Sequence, residues 1–169
     1  RSDNFNSVED AVNYFQKTNL QITPFLIPGV NKPAPLHLVF DDATGDSAIL
    51  EYENGQLHVY HDAKYVVATN EPSYNEQLAN AAQYIGLGGT KPLPGSLAPQ
   101  DRFVRAAYFL KYLPEPTSLK NQIAEIKSVL NVIAEPFEVV SSNTRDPIPT
   151  NWYVIADLTH PTYYFQDIA

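Results

Sequence analysis

The chain has 169 residues, 44% of them hydrophobic, which is enough to build a core and excludes a disordered segment. Nineteen acidic residues against eleven basic leave a net charge of −8, a balance that disfavours nucleic acid and anionic membrane as partners. The absence of cysteine removes disulfides and thiolate zinc sites, and no apolar run is long enough to cross a bilayer. Arg1-Ser2-Asp3-Asn4 opens a polar stretch unlike a signal peptide, and with no methionine anywhere position 1 is expected to lie inside a longer polypeptide.

Ser7-Val8-Glu9-Asp10 predicts a helix start, with Val8, Ala11, Val12 and Phe15 on one apolar face through about Thr18. Residues 20–22 read as a short extended piece, and 25–35, with Pro28-Gly29 and Pro33-Ala34-Pro35, as a loop. An antiparallel meander follows. Residues 36–41 alternate, placing Leu36, Leu38 and Phe40 on one face, and Thr44-Gly45-Asp46 turns the chain back into 47–52. Asn54-Gly55 is a two-residue hairpin signal leading to a third strand over 56–60, and 65–69 is expected as a fourth.

Beyond Pro72, residues 74–84 predict a helix with Leu78, Ala81 and Ala82 inward, and 86–95 a loop. Two more helices are expected. One spans 99–112 and is stopped by Pro114 and Pro116; the other spans 118–133, with Ile123, Ile126, Val129 and Leu130 on its apolar side. Residues 143–150 read as loop, and 152–157 pairs with 162–166 across Leu158-Thr159-His160-Pro161. Strands and helices come in blocks. That predicts an α+β fold with helices layered on an antiparallel sheet, one domain over 1–169, its sheet completed by material outside this chain.

His58 and His61 are three positions apart, but a metal site needs further ligands, with His37 and His160 the remaining histidines, and surface strand residues are the better reading. Asp41, Asp42 and Asp46 lack the twelve-residue calcium pattern and are read as turn carboxylates. Gly86-Leu87-Gly88-Gly89 follows a helix and has no Gly-Lys-Ser or Gly-Lys-Thr after it, which makes it a helix end and loop instead of a phosphate cradle. No Gly-x-Ser-x-Gly elbow is present. Singly, Asn70 reads as a turn residue ahead of Pro72, and Arg102 and Arg105 as salt-bridging helix residues. Together, with Leu93-Pro94-Gly95 between them, they place an amide and a guanidinium at loop-to-helix junctions. Such groups can stabilise a developing oxyanion and depress a thiol pKa.

The succession of motifs resembles the cholylglycine hydrolase and penicillin V acylase family of N-terminal nucleophile (Ntn) hydrolases. The likeness is carried by the strand pair around 41–51, Val67-Ala68-Thr69-Asn70-Glu71-Pro72, Leu93-Pro94-Gly95, Arg102-Phe103-Val104-Arg105-Ala106-Ala107 and the late hairpin with Ala156-Asp157 and Thr162-Tyr163-Tyr164-Phe165. The resemblance implies an αββα sandwich, incomplete in this chain, and hydrolysis of linear amides by an N-terminal cysteine that the chain does not contain. The chain alone is expected to be inactive. Asn70 is implied as an oxyanion donor, Arg102 as the arginine beside the thiol, and Leu87 and Leu93 as substrate-binding residues. No cofactor is implied. The partners implied are a small-molecule amide of the penicillin V, bile salt or N-acyl type, the N-terminal segment of the same enzyme, and at most a homo-oligomer.

The short excursion between Asn70 and Arg102 resembles the branch that includes Gram-negative acylases, which points away from tetramers and towards the periplasm. Glu71 stands where serine is common, Ser96 where an aspartate often follows Leu-Pro-Gly, and Asp101 where serine or alanine often precedes the arginine. These departures bear on substrate preference more than on reaction class. The alternatives are a binding or scaffold relative that kept the fold and lost the chemistry, and an unrelated α+β ligand-binding domain.

Overall fold

The computed structural model describes residues 4–24, 26, 33, 36–86, 90–140 and 149–168. Most of the expected loop at 25–35, and residues 87–89 and 143–148 of the other two, lie outside the described residues. The chain divides into two units, Arg1–Tyr74 with Asp157–Thr162, and Asn75–Ala156 with Tyr163–Ala169.

In the first unit, α1 (Val8–Lys17) begins where the capping pattern places it: Ser7 Oγ accepts the Asp10 N–H at 3.0 Å. A second cap comes from far along the chain, since Asp42 Oδ2 accepts the Val8 N–H at 3.0 Å. The hydroxyl of Thr44 and then this N–H hold the Asp42 carboxyl below its ordinary pKa. Thus the turn reading holds for Asp42 and Asp46, whereas Asp41 ends β1, and Asp42 also anchors a helix.

The sheet runs in the order β1 (His37–Asp41), β2 (Ser47–Glu53), β3 (Gln56–His61), all antiparallel, with His37 opposite Glu51 and Glu53 opposite Gln56. Asn54 and Gly55 both take positive φ, +51° and +78°, as the two-residue hairpin signal demands. Val8 and Val12 of α1 pack on Ala48 and Leu50, with Phe15, Leu38, Phe40, Leu57 and Val59 around them. Central β2 is covered on both faces, so Ile49 on the side away from this core is as buried as Leu50.

The fourth strand expected at 65–69 does not form. Tyr65 spends its backbone elsewhere: its N–H bonds Asp62 O at 3.0 Å, and its carbonyl accepts Ser47 Oγ at 2.8 Å. Its ring packs against Tyr60 and Tyr74. Residues 20–22 likewise join no ladder. Side chains hold them instead, Tyr52 Oη donating to Leu20 O and Gln21 Nε2 to Gly55 O.

α2 (Tyr74–Ala81) ends short of the expected 84, its last turn tightening into bonds from Gln83 to Asn80 and Tyr84 to Ala81. Its inward positions also differ from expectation: Tyr74 and Gln77 are buried, Leu78 and Ala81 half-buried, and Ala82 exposed. In the second unit, α3 (Pro99–Lys111) starts with proline at its first turn, and α4 (Leu119–Ile133) is capped by Ser118 Oγ on Asn121 N–H. They pack together, burying Phe103, Val104, Ala106 and Tyr108 from one helix and Val129 from the other. Strands β4 (Trp152–Asp157) and β5 (Thr162–Asp167) form the late hairpin, where Trp152 stacks on Phe165. Among the described residues no helix is long and apolar enough to cross a membrane.

Candidate active site

Asn70 lies in the first unit, in the segment between β3 and α2. Its backbone is held from β1: His37 Nε2 donates to the Asn70 carbonyl at 2.8 Å. A carbonyl only accepts, so Nε2 carries the proton. On the other side of the ring, Nδ1 is buried, has no hydrogen-bond partner among the described residues and lies 3.3 Å from Glu51 Oε1. Glu51 is the antiparallel partner of His37 in the ladder and is only 6% exposed. Its second oxygen accepts the Tyr74 N–H, at the first residue of α2, at 3.0 Å. Burial pushes the Glu51 carboxyl above its ordinary pKa, while the Tyr74 N–H and His37 pull it back.

One buried carboxylate therefore caps a helix and lies beside a histidine, and the histidine fixes the loop between. The loop borders a cleft of about 210 Å³ lined in part by Leu36, His37, Glu51, Asn70, Glu71 and Ser73. Asn70 is exposed, and its side-chain amide has no partner among the described residues. The amide is thus available to a ligand.

Arg102 and Arg105 lie in the second unit, on α3. Arg102 Nε donates to Leu97 O at 3.0 Å, and a terminal nitrogen sits 3.4 Å from Glu135 Oε1. The salt-bridge reading thus finds its partner in Glu135, just past α4. Among the described residues Arg105 makes no carboxylate pair; it donates to three carbonyls, Pro94 and Ser96 at 2.8 Å and Val132 at 2.9 Å. Burial, more than the neighbouring Arg102, lowers its pKa, while Asp101 opposes the shift, and a guanidinium keeps its charge regardless. Leu93-Pro94-Gly95 is therefore tied to the arginine helix by Arg105.

Two of the departures noted in sequence meet here: Ser96 Oγ donates to Asp101 Oδ2 at 2.6 Å. Hydroxyl and carboxylate stand on opposite sides of one bond from the order the resemblance leads one to expect. Leu93 is half-buried, and Leu87 lies outside the described residues.

The other histidines take separate carboxylates: His58 is near Glu53 at 3.9 Å, His61 near Asp46 at 2.8 Å and His160 near Asp157 at 3.2 Å. Among the described residues no three metal-ligating side chains gather. Sequence reasoning missed the pairing of His37 with Glu51. The signal was present, because a hairpin closed at 42–46 sets these two polar residues opposite each other on neighbouring strands.

A family profile for linear amide C-N hydrolases, choloylglycine hydrolase family, matches residues 2–168. The chain is 30% identical to a penicillin V acylase of Pectobacterium atrosepticum, over 97% of this chain and 47% of that protein. It is 27% identical to a bile salt hydrolase/transferase of Clostridium perfringens, over 84% of this chain and 47% of that protein. The solved penicillin V acylase of Agrobacterium tumefaciens superimposes with a TM-score of 0.80 at 34% identity, over 98% of this chain and 50% of that one. The α+β fold is that of these Ntn-hydrolase acylases, and the chain spans about half the length of the relatives it matches. The chain belongs to the choloylglycine hydrolase family of linear amide C-N hydrolases.

Proposed function

We propose that the complete protein hydrolyses the carbon–nitrogen bond of a linear amide, using an N-terminal cysteine outside this chain, and that residues 1–169 supply the later part of one Ntn-hydrolase domain. Family membership supports the reaction class. The local observation that carries the reading is the Asn70 amide, exposed and without a partner among the described residues, on a backbone pinned by His37.

A free thiol has a pKa of about 8.5 and is little ionised at neutral pH. The α-amine of the nucleophile takes the thiol proton, and the thiolate attacks the amide carbonyl carbon. The carbonyl electron pair moves onto oxygen, where the Asn70 N–H stabilises it. Collapse breaks the C–N bond, the amine leaves with the proton, and water cleaves the resulting thioester. Arg102 favours the thiolate through its fixed charge, and Leu87 and Leu93 contact the acyl group. The names of the relatives make penicillin V and conjugated bile acids the first substrates to try.

A binding or scaffold role on the same fold draws on one observation: Glu135 already offsets the charge of Arg102. Kinetics of the complete protein decide. Asn70→Ala is expected to lower kcat by about 10²–10³-fold with KM nearly unchanged. Arg102→Ala is expected to move alkylation of the thiol to higher pH. Normal turnover in Asn70→Ala removes the oxyanion role, and an unmoved alkylation profile removes that of Arg102. No turnover of either substrate class by the unaltered protein favours the scaffold.

A further inference from the structure

We infer that His37, packed beside Glu51, is a positioning residue for Asn70: its Nε2–H clamps the Asn70 carbonyl and so fixes the direction in which the side-chain amide points. The inference rests on the oxyanion reading above. It begins from an oddity of placement. β1 and β2 cover α1 with Leu38, Phe40, Ala48 and Leu50, yet their opposite face carries an imidazole and a carboxylate, both more than nine-tenths buried as side chains. Burying such a pair is costly unless its polar atoms are used.

Two of those atoms hold the irregular segment that carries Asn70, one within it and one at its end. Nε2 takes its carbonyl, Glu51 Oε2 takes the N–H of Tyr74 just after it, and Glu51 Oε1 faces Nδ1. The segment 69–73 is thereby tied at both ends to adjacent strands of a sheet. The Asn70 side chain has no partner of its own among the described residues, so its direction is inherited from its backbone. An oxyanion donor acts by being in place before charge develops. Misplacement of a catalytic group by about 1 Å can cost about 10²-fold in rate.

The test compares His37→Ala, His37→Gln and Asn70→Ala in the complete enzyme, on penicillin V, with backbone amide exchange over 69–73 followed in parallel. A glutamine amide reaches the Nε2 position and can still donate to the Asn70 carbonyl; alanine cannot. His37→Ala is expected to lower kcat by about 10²-fold with KM within about twofold, and to speed exchange over 69–73. His37→Gln is expected to restore both. Should His37→Ala fail to fold, His37→Asn replaces it, since its shorter amide faces Glu51 and falls short of Asn70.

Normal kcat in His37→Ala beside a slow Asn70→Ala overturns the positioning role and leaves the proposed function standing. Normal kcat in Asn70→Ala overturns the oxyanion reading and the positioning role with it. Unchanged exchange over 69–73 in His37→Ala overturns the clamp whatever the rates.

Discussion

Two loops lead into helices in this molecule, and they are fastened by different chemistry. The 69–73 segment, ahead of α2, is held by an imidazole and, at its end, by a buried carboxylate. The 93–98 segment, ahead of α3, is held by the Arg105 guanidinium on the carbonyls of Pro94 and Ser96, with a further bond to the end of α4. In both cases a side chain from a regular element donates to carbonyls that no ladder satisfies. The difference lies in titration. Arginine keeps its five donors at every accessible pH, whereas the fastening of 69–73 includes a carboxylate, Glu51, whose pKa burial raises.

The arginine fastening is the stronger and its loss is the largest effect expected. Arg105→Ala abandons three carbonyls at once, and bonds from charged donors contribute about 1.5–3 kcal/mol each where buried. The site is partly exposed, so water recovers a share, and a total near 2–4 kcal/mol is expected. Arg105→Lys should regain less than half, because an ammonium has no planar fork with which to span separate carbonyls. Urea midpoints of the complete protein check both variants. A lysine variant as stable as the parent would show that the charge alone matters and would erase the contrast between the loops.

A finer effect concerns the same loop. Ser96 donates to Asp101, and the family pattern leads one to expect acid and hydroxyl in the opposite order. Ser96→Asp alone sets two carboxylates face to face, and Asp101→Ser alone leaves two hydroxyls; each is expected to cost about 0.5–1.5 kcal/mol. The double exchange should recover most of that, as a coupling energy in a mutant cycle. Additive single effects would mean the two positions vary independently.

The legible part of the fold is the part fixed by local chemistry. Ser7, Ser118 and Pro99 mark helix starts, Asn54-Gly55 marks a hairpin, and alternation marks β1 and β2, because each of these signals acts within a few residues. The fourth strand is absent despite the strand-like composition of 65–69, because the Tyr65 carbonyl is claimed by Ser47, a competitor 18 positions away. Helix α2 is rotated from the apolar pattern, burying Tyr74 and Gln77 fully and Leu78 and Ala81 only in part, with Ala82 exposed. For the candidate site, motif order points to Asn70 and Arg102, but not to the side chains that hold them. His37 and Glu135 lie outside the motifs that carry the resemblance, Glu51 closes one of them, and all three make their contacts through register and packing.

The smallest effect isolates the titratable fastening. Burial raises the folded pKa of Glu51 above its ordinary 4.5. Between 4.5 and that raised value the folded state holds a proton that the unfolded state has released. Glu51 therefore contributes stability that is fully present below pH 4.5 and is lost as pH rises through the folded value. The other displaced carboxylates, Asp42, Asp62 and Asp157, move the opposite way, below 3.8. Their contributions are present above pH 3.8 and vanish on acidification, so a scan upward from pH 4.5 separates Glu51 from them. Glu51→Gln keeps an oxygen for the Tyr74 N–H and offers an N–H to the vacant Nδ1 of His37, while removing the buried charge. The variant is expected to lose part of the decline in denaturation midpoint above pH 4.5, whereas Arg105→Ala should keep that decline and shift the whole curve down. The pull of the Tyr74 N–H and of His37 on the carboxyl keeps the Glu51 effect modest. Parallel curves for Glu51→Gln and the parent would place the pH sensitivity elsewhere and make the two loops alike in their response to protons.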